Sequence, residues 1–261
     1  MNTKKIVFFD VDHTLYDPFE KRVPPSNVEA LKKLHERDDV LLAIATGRAF
    51  YMLDIVKEIQ PYIDLYITIN GQLIYHGDCL IEDLPMPKED VATVKELFNR
   101  HGLAYGFIGK ESHAISRLNS KIVGRFYEQS LPLPDLNPDF EKENRVYQMW
   151  AFSTPKQMHA VETELEGYRL VPWIEEGFDV IHKLRSKKEG VLKTLTLLNI
   201  PLENAYCFGD GNNDKEMLAA IPNSVAMGNA SEHVKSHAAH VTAPFYEDGI
   251  EKALLKFGLL K

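Results

Sequence analysis

Two short acidic stretches carry the chemistry this sequence offers most plainly. Asp10-Val11-Asp12-His13-Thr14 sets two carboxylates two residues apart after the apolar run Ile6-Val7-Phe8-Phe9. Far along the chain, Gly209-Asp210-Gly211-Asn212-Asn213-Asp214 adds two more after Ala205-Tyr206-Cys207-Phe208. Four carboxylates brought together repel, and burying them without a partner is costly. A hard divalent cation with oxygen ligands, most simply Mg2+ keeping some of its water, relieves both problems. A cation so held also suits a phosphate. It bridges a phosphoryl oxygen while one carboxylate attacks phosphorus to give an aspartyl phosphate, and the companion acid protonates the leaving oxygen and later deprotonates water. The phosphoryl oxygens need further donors, and Thr46 with Gly47, or Lys187 at the opening of a helical pattern, offers them.

These residues must be positioned by the elements that precede them. Ile6–Phe9 leads to Asp10, Leu41–Ala45 to Thr46, Leu65–Ile69 to Asn70 and Ala205–Gly209 to Asp210. Continuous apolar runs of this length suit strands covered on both faces. Helical patterns separate them: Val28, Leu31 and Leu34 behind the capping-box form Ser26-Asn27-Val28-Glu29; Met52, Leu53, Val56 and Ile59 after Arg48; Val191, Leu195 and Leu198 after Lys187. Strands alternating with helices predict an α/β fold, a doubly wound parallel sheet whose ligands bind beyond the carboxyl ends of the strands. From about Ile81 to Leu184 the rhythm changes to grouped elements. Helical patterns on Val91, Val94 and Phe98 and on Met158, Val161 and Leu165 lie among strand-like segments at 104–108, 146–152, 170–174 and 179–184. We therefore expect a core formed by residues 1–80 and 185–261, interrupted by an inserted α+β domain over residues 81–184. The proline-rich stretch 131–139 reads as an exposed loop.

Composition narrows the partners. The 30 Lys and Arg against 38 Asp and Glu give a net charge of −8, with no basic stretch, so nucleic acid is not an expected ligand. The same charge repels an anionic metabolite, which must then be received by locally gathered cations or amide groups. No apolar run approaches the ~18 residues of a membrane span, and the N-terminus turns acidic too early for a secretory signal, so a cytoplasmic protein without membrane contact is expected, as a monomer or weak homo-oligomer. Cys79 and Cys207 stand far apart outside any CxxC pattern, and His233, His237 and His240 have no neighbouring set of ligands to complete a zinc site.

Taken in order, Asp10-x-Asp12-x-Thr14, Thr46-Gly47-Arg48, Lys187-x-x-Gly190 and Gly209-Asp210-Gly211-x-Asn213-Asp214 resemble the four motifs of the haloacid dehalogenase (HAD) superfamily of phosphohydrolases. Asn70-Gly71, residues 225–230, 239–242 and 247–250 look like its Cof-type branch, in which the insert corresponds to a type-two cap. The resemblance implies Asp10 as nucleophile, Asp12 as acid and base, and Thr46 and Lys187 as the charge-stabilising pair. It implies substrate contacts from Thr46, Gly47, Arg48, Lys187 and Asn213. It implies Mg2+ held by Asp10, the main-chain carbonyl of Asp12, and Asp210, with Asp214 as ligand or support. The family usually has glycine where His13 stands; a side chain there could narrow the site, touch the leaving group or point outward.

The expected function is a Mg2+-dependent phosphatase of small phosphorylated metabolites, sugar phosphates or phosphorylated cofactors, with the insert closing over the site to exclude water. Two alternatives remain open on sequence. A sugar phosphomutase would isomerise its substrate with little free phosphate released. A non-catalytic module would bind a phosphometabolite without turnover.

Overall fold

The computed structural model describes residues 4–261. From the N-terminus, β1 (Lys5–Phe9), α1 (Pro25–His35), β2 (Val40–Ala45), β3 (Leu65–Thr68), β4 (Leu73–His76) and β5 (Cys79–Asp83) come first. There follow α2 (Lys88–Arg100), β6 (Ala104–Ile108), β7 (His113–Ile115), α3 (Ser120–Glu128), β8 (Asp135–Leu136), β9 (Gln148–Phe152), α4 (Pro155–Glu164), β10 (Tyr168–Ile174) and β11 (Gly177–His182). The chain ends with α5 (Lys187–Leu198), β12 (Ala205–Gly209), α6 (Lys215–Ala220), β13 (Asn223–Ala226), α7 (Glu232–Lys235), β14 (His240–Val241) and α8 (Gly249–Lys256). It divides into two units: one of residues 1–48, 53–83 and 186–261, the other of residues 49–52 and 84–185.

The first unit is the doubly wound α/β sheet expected from sequence. Its strand order is β14-β13-β12-β1-β2-β3-β4-β5, parallel throughout except for β4 and β5 at one edge. Strand β1 shows why its run is continuously apolar. Side chains alternate between faces, so Val7 and Phe9 pack with Leu31 and Leu34 of α1 and Ile250 and Leu254 of α8. Ile6 and Phe8 pack on the other face with Val191 and Leu195 of α5 and Met217 and Leu218 of α6. All four are fully buried, and each such side chain stabilises the fold by about 1.5–3 kcal/mol. The chain winds outward from β1 through β2 and β3 on one side and through β12, β13 and β14 on the other. The carboxyl ends of β1 and β12 therefore open at the point where the winding reverses, where such sheets leave a crevice.

Two local expectations are corrected. The capping box on Ser26 does not form: α1 begins at Pro25, its N-cap is Pro24 with no side-chain cap, and the buried Ser26 hydroxyl has no partner. Proline at the first helical position moves the start forward and carries Ser26 inside the first turn. The helical pattern after Arg48 winds as a 3-10 stretch, Phe50–Val56, with bonds such as Met52 N–H to the Ala49 carbonyl running three residues back.

The second unit is α+β. Its sheet runs β10-β11-β9-β6-β7-β8, antiparallel except for the β7–β8 pair. One face, with Tyr105, Phe107, Met149 and Phe178, packs on Val91, Val94 and Phe98 of α2 and Val161 of α4. On the other, Phe126 of α3 meets Trp150 and Phe152 edge-on. The capping box at the head of α4 is present, Thr154 accepting from the Gln157 amide. The proline-rich stretch is not wholly loop, since Asp135–Leu136 adds an edge strand beside β7.

Candidate active site

All the motif residues read from the sequence lie in the first unit. Asp10 follows β1, Thr46 follows β2 and Asp210 follows β12, at the carboxyl edge of neighbouring strands. Lys187 is the first residue of α5, whose N-cap Ser186 accepts from the Glu189 amide at 3.3 Å. Its ammonium reaches 2.5 Å from Asp10 Oδ1 and 2.7 Å from Asp214 Oδ1, with the lysine side chain fully buried. The ligand atoms of Asp10, Asp210 and Asp214 lie within 4.8 Å of one another.

Asp214 is built into its turn. Its Oδ2 accepts from the Asp210 and Gly211 amides at 3.0 and 2.8 Å, and a Cβ at Gly209 would stand 2.5 Å from its Cγ, so that strand must end on glycine. Asp210 accepts from the Thr14 hydroxyl at 3.0 Å and lies 3.4 Å from the Asn229 amide nitrogen. That bond ties the turn after β1 to the turn after β12.

The electrostatics follow from this crowding. Burial, then the charge of Asp214, pushes the Asp10 carboxyl up to about 7 despite the opposing pull of Lys187. Burial, then Asp10 and Asp214, pushes Asp210 well above the carboxylate range. For Lys187, burial works against the charged form, but the two flanking carboxylates outweigh it and hold the ammonium above its ordinary value. Three carboxylates whose ligand atoms crowd together in this way are a hard oxygen donor set suited to a small divalent cation.

Asp12 does not join that trio. Arg48 clasps it in a bidentate pair, Nε to Oδ2 at 2.8 Å and Nη2 to Oδ1 at 2.7 Å. Burial opposes its charge, but the guanidinium overrides this and holds the carboxyl below its ordinary range. The guanidinium is nearly buried, while the Asp12 side chain is 39% exposed. Thr46 is buried and accepts the Arg48 amide at 3.1 Å, which leaves its own O–H to donate.

His13 takes φ 55°, a left-handed conformation that favours glycine and that histidine tolerates. This is a physical reason for glycine at that position elsewhere in the family resemblance. The imidazole packs edge-on against Phe19 and Phe245, at 6.2 and 5.9 Å between ring centres.

Asn70 was legible as a strand-end residue, but not its partners. Ile69, Asn70 and Gly71 all have positive φ, 51°, 52° and 93°, an unusual run in which a β-branched isoleucine is strained. The turn pins the loop after β2: the Asn70 amide donates to the Thr46 carbonyl and the Ile69 amide to the Arg48 carbonyl, each at 3.0 Å. The Asn70 side chain accepts from Asn213 at 3.0 Å. At Gly71 a Cβ would meet the Ser186 carbonyl at 2.5 Å, so the same turn seats the start of α5.

Residues 7–254 match the haloacid dehalogenase-like hydrolase family. The chain belongs to that family. Among solved structures, this hydrolase is similar to BT4131, described as a HAD subclass IIB sugar phosphatase, with TM-score 0.91 and 32% identity over 98% of this chain and all of the other. The pyridoxal phosphate phosphatase YbhA of Escherichia coli (strain K12) is 29% identical over 273 residues, 95% of this chain and 96% of its own. A Streptococcus pyogenes protein named as a bifunctional phosphatase/peptidyl-prolyl cis-trans isomerase is 32% identical over 262 residues. The hydrolase spans 98% of its own length in that match but only 54% of the relative's. Among its described residues, no helix is long and apolar enough to cross a membrane.

Proposed function

We propose that this hydrolase is a phosphoric monoester hydrolase that uses Mg2+ and an aspartyl-phosphate intermediate to release phosphate from small metabolites, sugar phosphates or phosphorylated cofactors. The observation that carries the reading is the buried Lys187 ammonium bridging Asp10 and Asp214 beside Asp210 at the sheet edge. The named activities of the sugar and pyridoxal phosphate phosphatases it resembles support the substrate class.

Asp10, Asp210 and the main-chain carbonyl of Asp12 would hold Mg2+, with Asp214 supporting. When bound, the ion would neutralise charge on the phosphoryl oxygens. An Asp10 carboxylate oxygen attacks phosphorus, the ester P–O bond breaks, and the leaving oxygen takes a proton from Asp12. Asp12 then takes a proton from water, whose oxygen attacks phosphorus, releasing phosphate and restoring Asp10. Lys187, the Thr46 hydroxyl and the backbone at Gly47 stabilise the transferring group. As clasped by Arg48, Asp12 is charged, the form that deprotonates water; donating a proton in the first step requires the clasp to open and Arg48 to turn to substrate.

Phosphate release from a panel of sugar phosphates and phosphorylated cofactors in Mg2+ tests the function. Release of stoichiometric phosphate is expected; isomerised sugar phosphate without free phosphate, or binding without turnover, would sink it.

Metal dependence has a signed pH signature. A folded carboxyl whose pKa is raised keeps a proton the unfolded chain has lost, so stability falls as pH climbs from about 4 through the folded value, about 7 for Asp10. Mg2+ relieves the cost of the ionised form. The rise in melting temperature on adding Mg2+ to chelator-treated protein should therefore be larger at pH 8 than at pH 5. No Mg2+-dependent shift at either pH would count against the ion site.

Asn70→Ala should lower kcat about ten- to hundredfold with the fold intact, because the loop carrying Thr46 and Gly47 loses its brace and small misplacements are costly in such sites. Steady-state kinetics beside circular dichroism checks this; wild-type kcat would show that the backbone bonds of the turn suffice.

A further inference from the structure

One end of the second unit holds a cleft of about 280 Å3. Its lining includes Arg117, Lys121 and Arg125 against one carboxylate, Glu176. This is a local surplus of positive charge on a chain whose net charge is −8. Glu176 is shared, reaching Lys121 at 2.7 Å and Arg125 at 3.2 Å, and Arg125 also meets Glu128, outside the lining, at 2.8 Å, which leaves three cations against two carboxylates. Arg117 is pinned to the Gly102 carbonyl, which fixes its guanidinium without neutralising it. The Arg125 Nε–H is shut off from solvent and has no acceptor.

Other features of the cleft point the same way. The N-caps of α3 and α4, Asn119 and Thr154, both line it, so two helices of nine and ten residues direct their positive ends there. Ile122 and Phe152 add apolar surface. The register fixes its place within the unit. Ala104 and Phe152, paired across β6 and β9, mark the cleft end of the sheet. The chain enters at the opposite end, where the Met86 amide bonds to Val146 and the Tyr147 amide to Ile108. The 13 residues of α2 span the interval, about 20 Å at the helical rise.

We propose that this cleft binds a small organic anion carrying at least two negative charges, as carboxylate or phosphate groups. Arg117, whose guanidinium meets a carbonyl rather than a carboxylate, and the unpartnered Nε–H of Arg125 are suited to anionic oxygens. The volume lies at the lower end of the range for small-molecule sites. The apolar surface favours a ligand with a short carbon skeleton over a bare inorganic ion.

The test uses the full chain, without added metal and at constant ionic strength, titrated separately with citrate and with inorganic phosphate. Both tryptophans, Trp150 and Trp173, lie in this unit, each 5.7 Å from the Phe152 ring that lines the cleft, so intrinsic fluorescence reports on it. A saturable response to citrate is expected, weakened at least tenfold in the Arg117→Gln, Arg125→Gln double variant. Glu176→Gln removes the competing carboxylate and should tighten binding about threefold, a gain that a folding defect would not produce. If the double variant does not fold, Glu176→Gln alone decides. A response to citrate alone would assign the site to carboxylates, and a comparable response to inorganic phosphate would overturn the preference for an organic anion. A linear response reproduced by sodium chloride, equal affinity in wild type and double variant, or weaker binding in Glu176→Gln would overturn the assignment.

Discussion

Asp10→Asn is expected to reduce turnover of an aryl phosphate about ten-thousandfold or more, the scale seen when a nucleophile is removed, while raising the melting temperature of the metal-free protein above pH 7. The two effects share a cause. Burial and the charge of Asp214 make the ionised Asp10 costly despite Lys187, so the neutral amide relieves the fold of a charge it holds against its preference. Lys187 keeps Asp214 as a partner at 2.7 Å. The stability gain should fade as pH falls toward 5, where Asp10 is already protonated in the folded chain. Paired kinetics and thermal melts at pH 5 and 8 check both effects; near wild-type turnover would remove Asp10 as the nucleophile.

Lys187→Met should act in the opposite direction on stability. Its ammonium is the cation between two buried carboxylates, and stripping one partner from such a cluster costs about 3–5 kcal/mol. Turnover should fall about a hundred- to thousandfold as well, through loss of charge stabilisation on the transferring group. Adding Asp10→Asn to Lys187→Met should restore part of the lost melting temperature, because the second change removes one of the stranded charges. A single variant that melts like wild type at pH 8, or a double variant less stable than the single, would show that the ammonium does not hold this cluster together.

These predictions rest on features that differ in how openly the sequence displays them. Strand β1 is legible because both its faces are buried, which leaves no polar residue between Lys5 and Asp10. Edge strand β5 is not: it alternates between exposed and half-buried positions and carries Cys79, Glu82 and Asp83, so it has no apolar run to reveal it. Helix α3 escaped for a related reason, since only Ile122 and Phe126 are buried along it and Gly124 interrupts the pattern. Within the site, the order of the four motifs indicated that Asp10, Lys187 and Asp210 belong together. The grip of Arg48 on Asp12, 36 positions away, and that of Asn213 on Asn70, 143 positions away, left no trace in local spacing. A partner chosen across space rather than along the chain has no periodicity to read, and the strain at Ile69 that accompanies it is visible only in backbone angles.

The pairing of β1 with β12 sets a timetable for the newborn protein. Ile6 lies against Ala205 and Phe9 against Phe208, so at roughly 5–20 residues per second the ribosome takes on the order of 10–40 seconds to deliver the neighbour that the first strand awaits. Meanwhile the strands β6 to β11, which pair only with one another, have all emerged. The acidic cluster thus comes together only after the polypeptide that interrupts it has had time to settle. Until then one edge of an almost wholly apolar strand stays uncovered, which makes the nascent chain, rather than the finished enzyme, the form most exposed to aggregation.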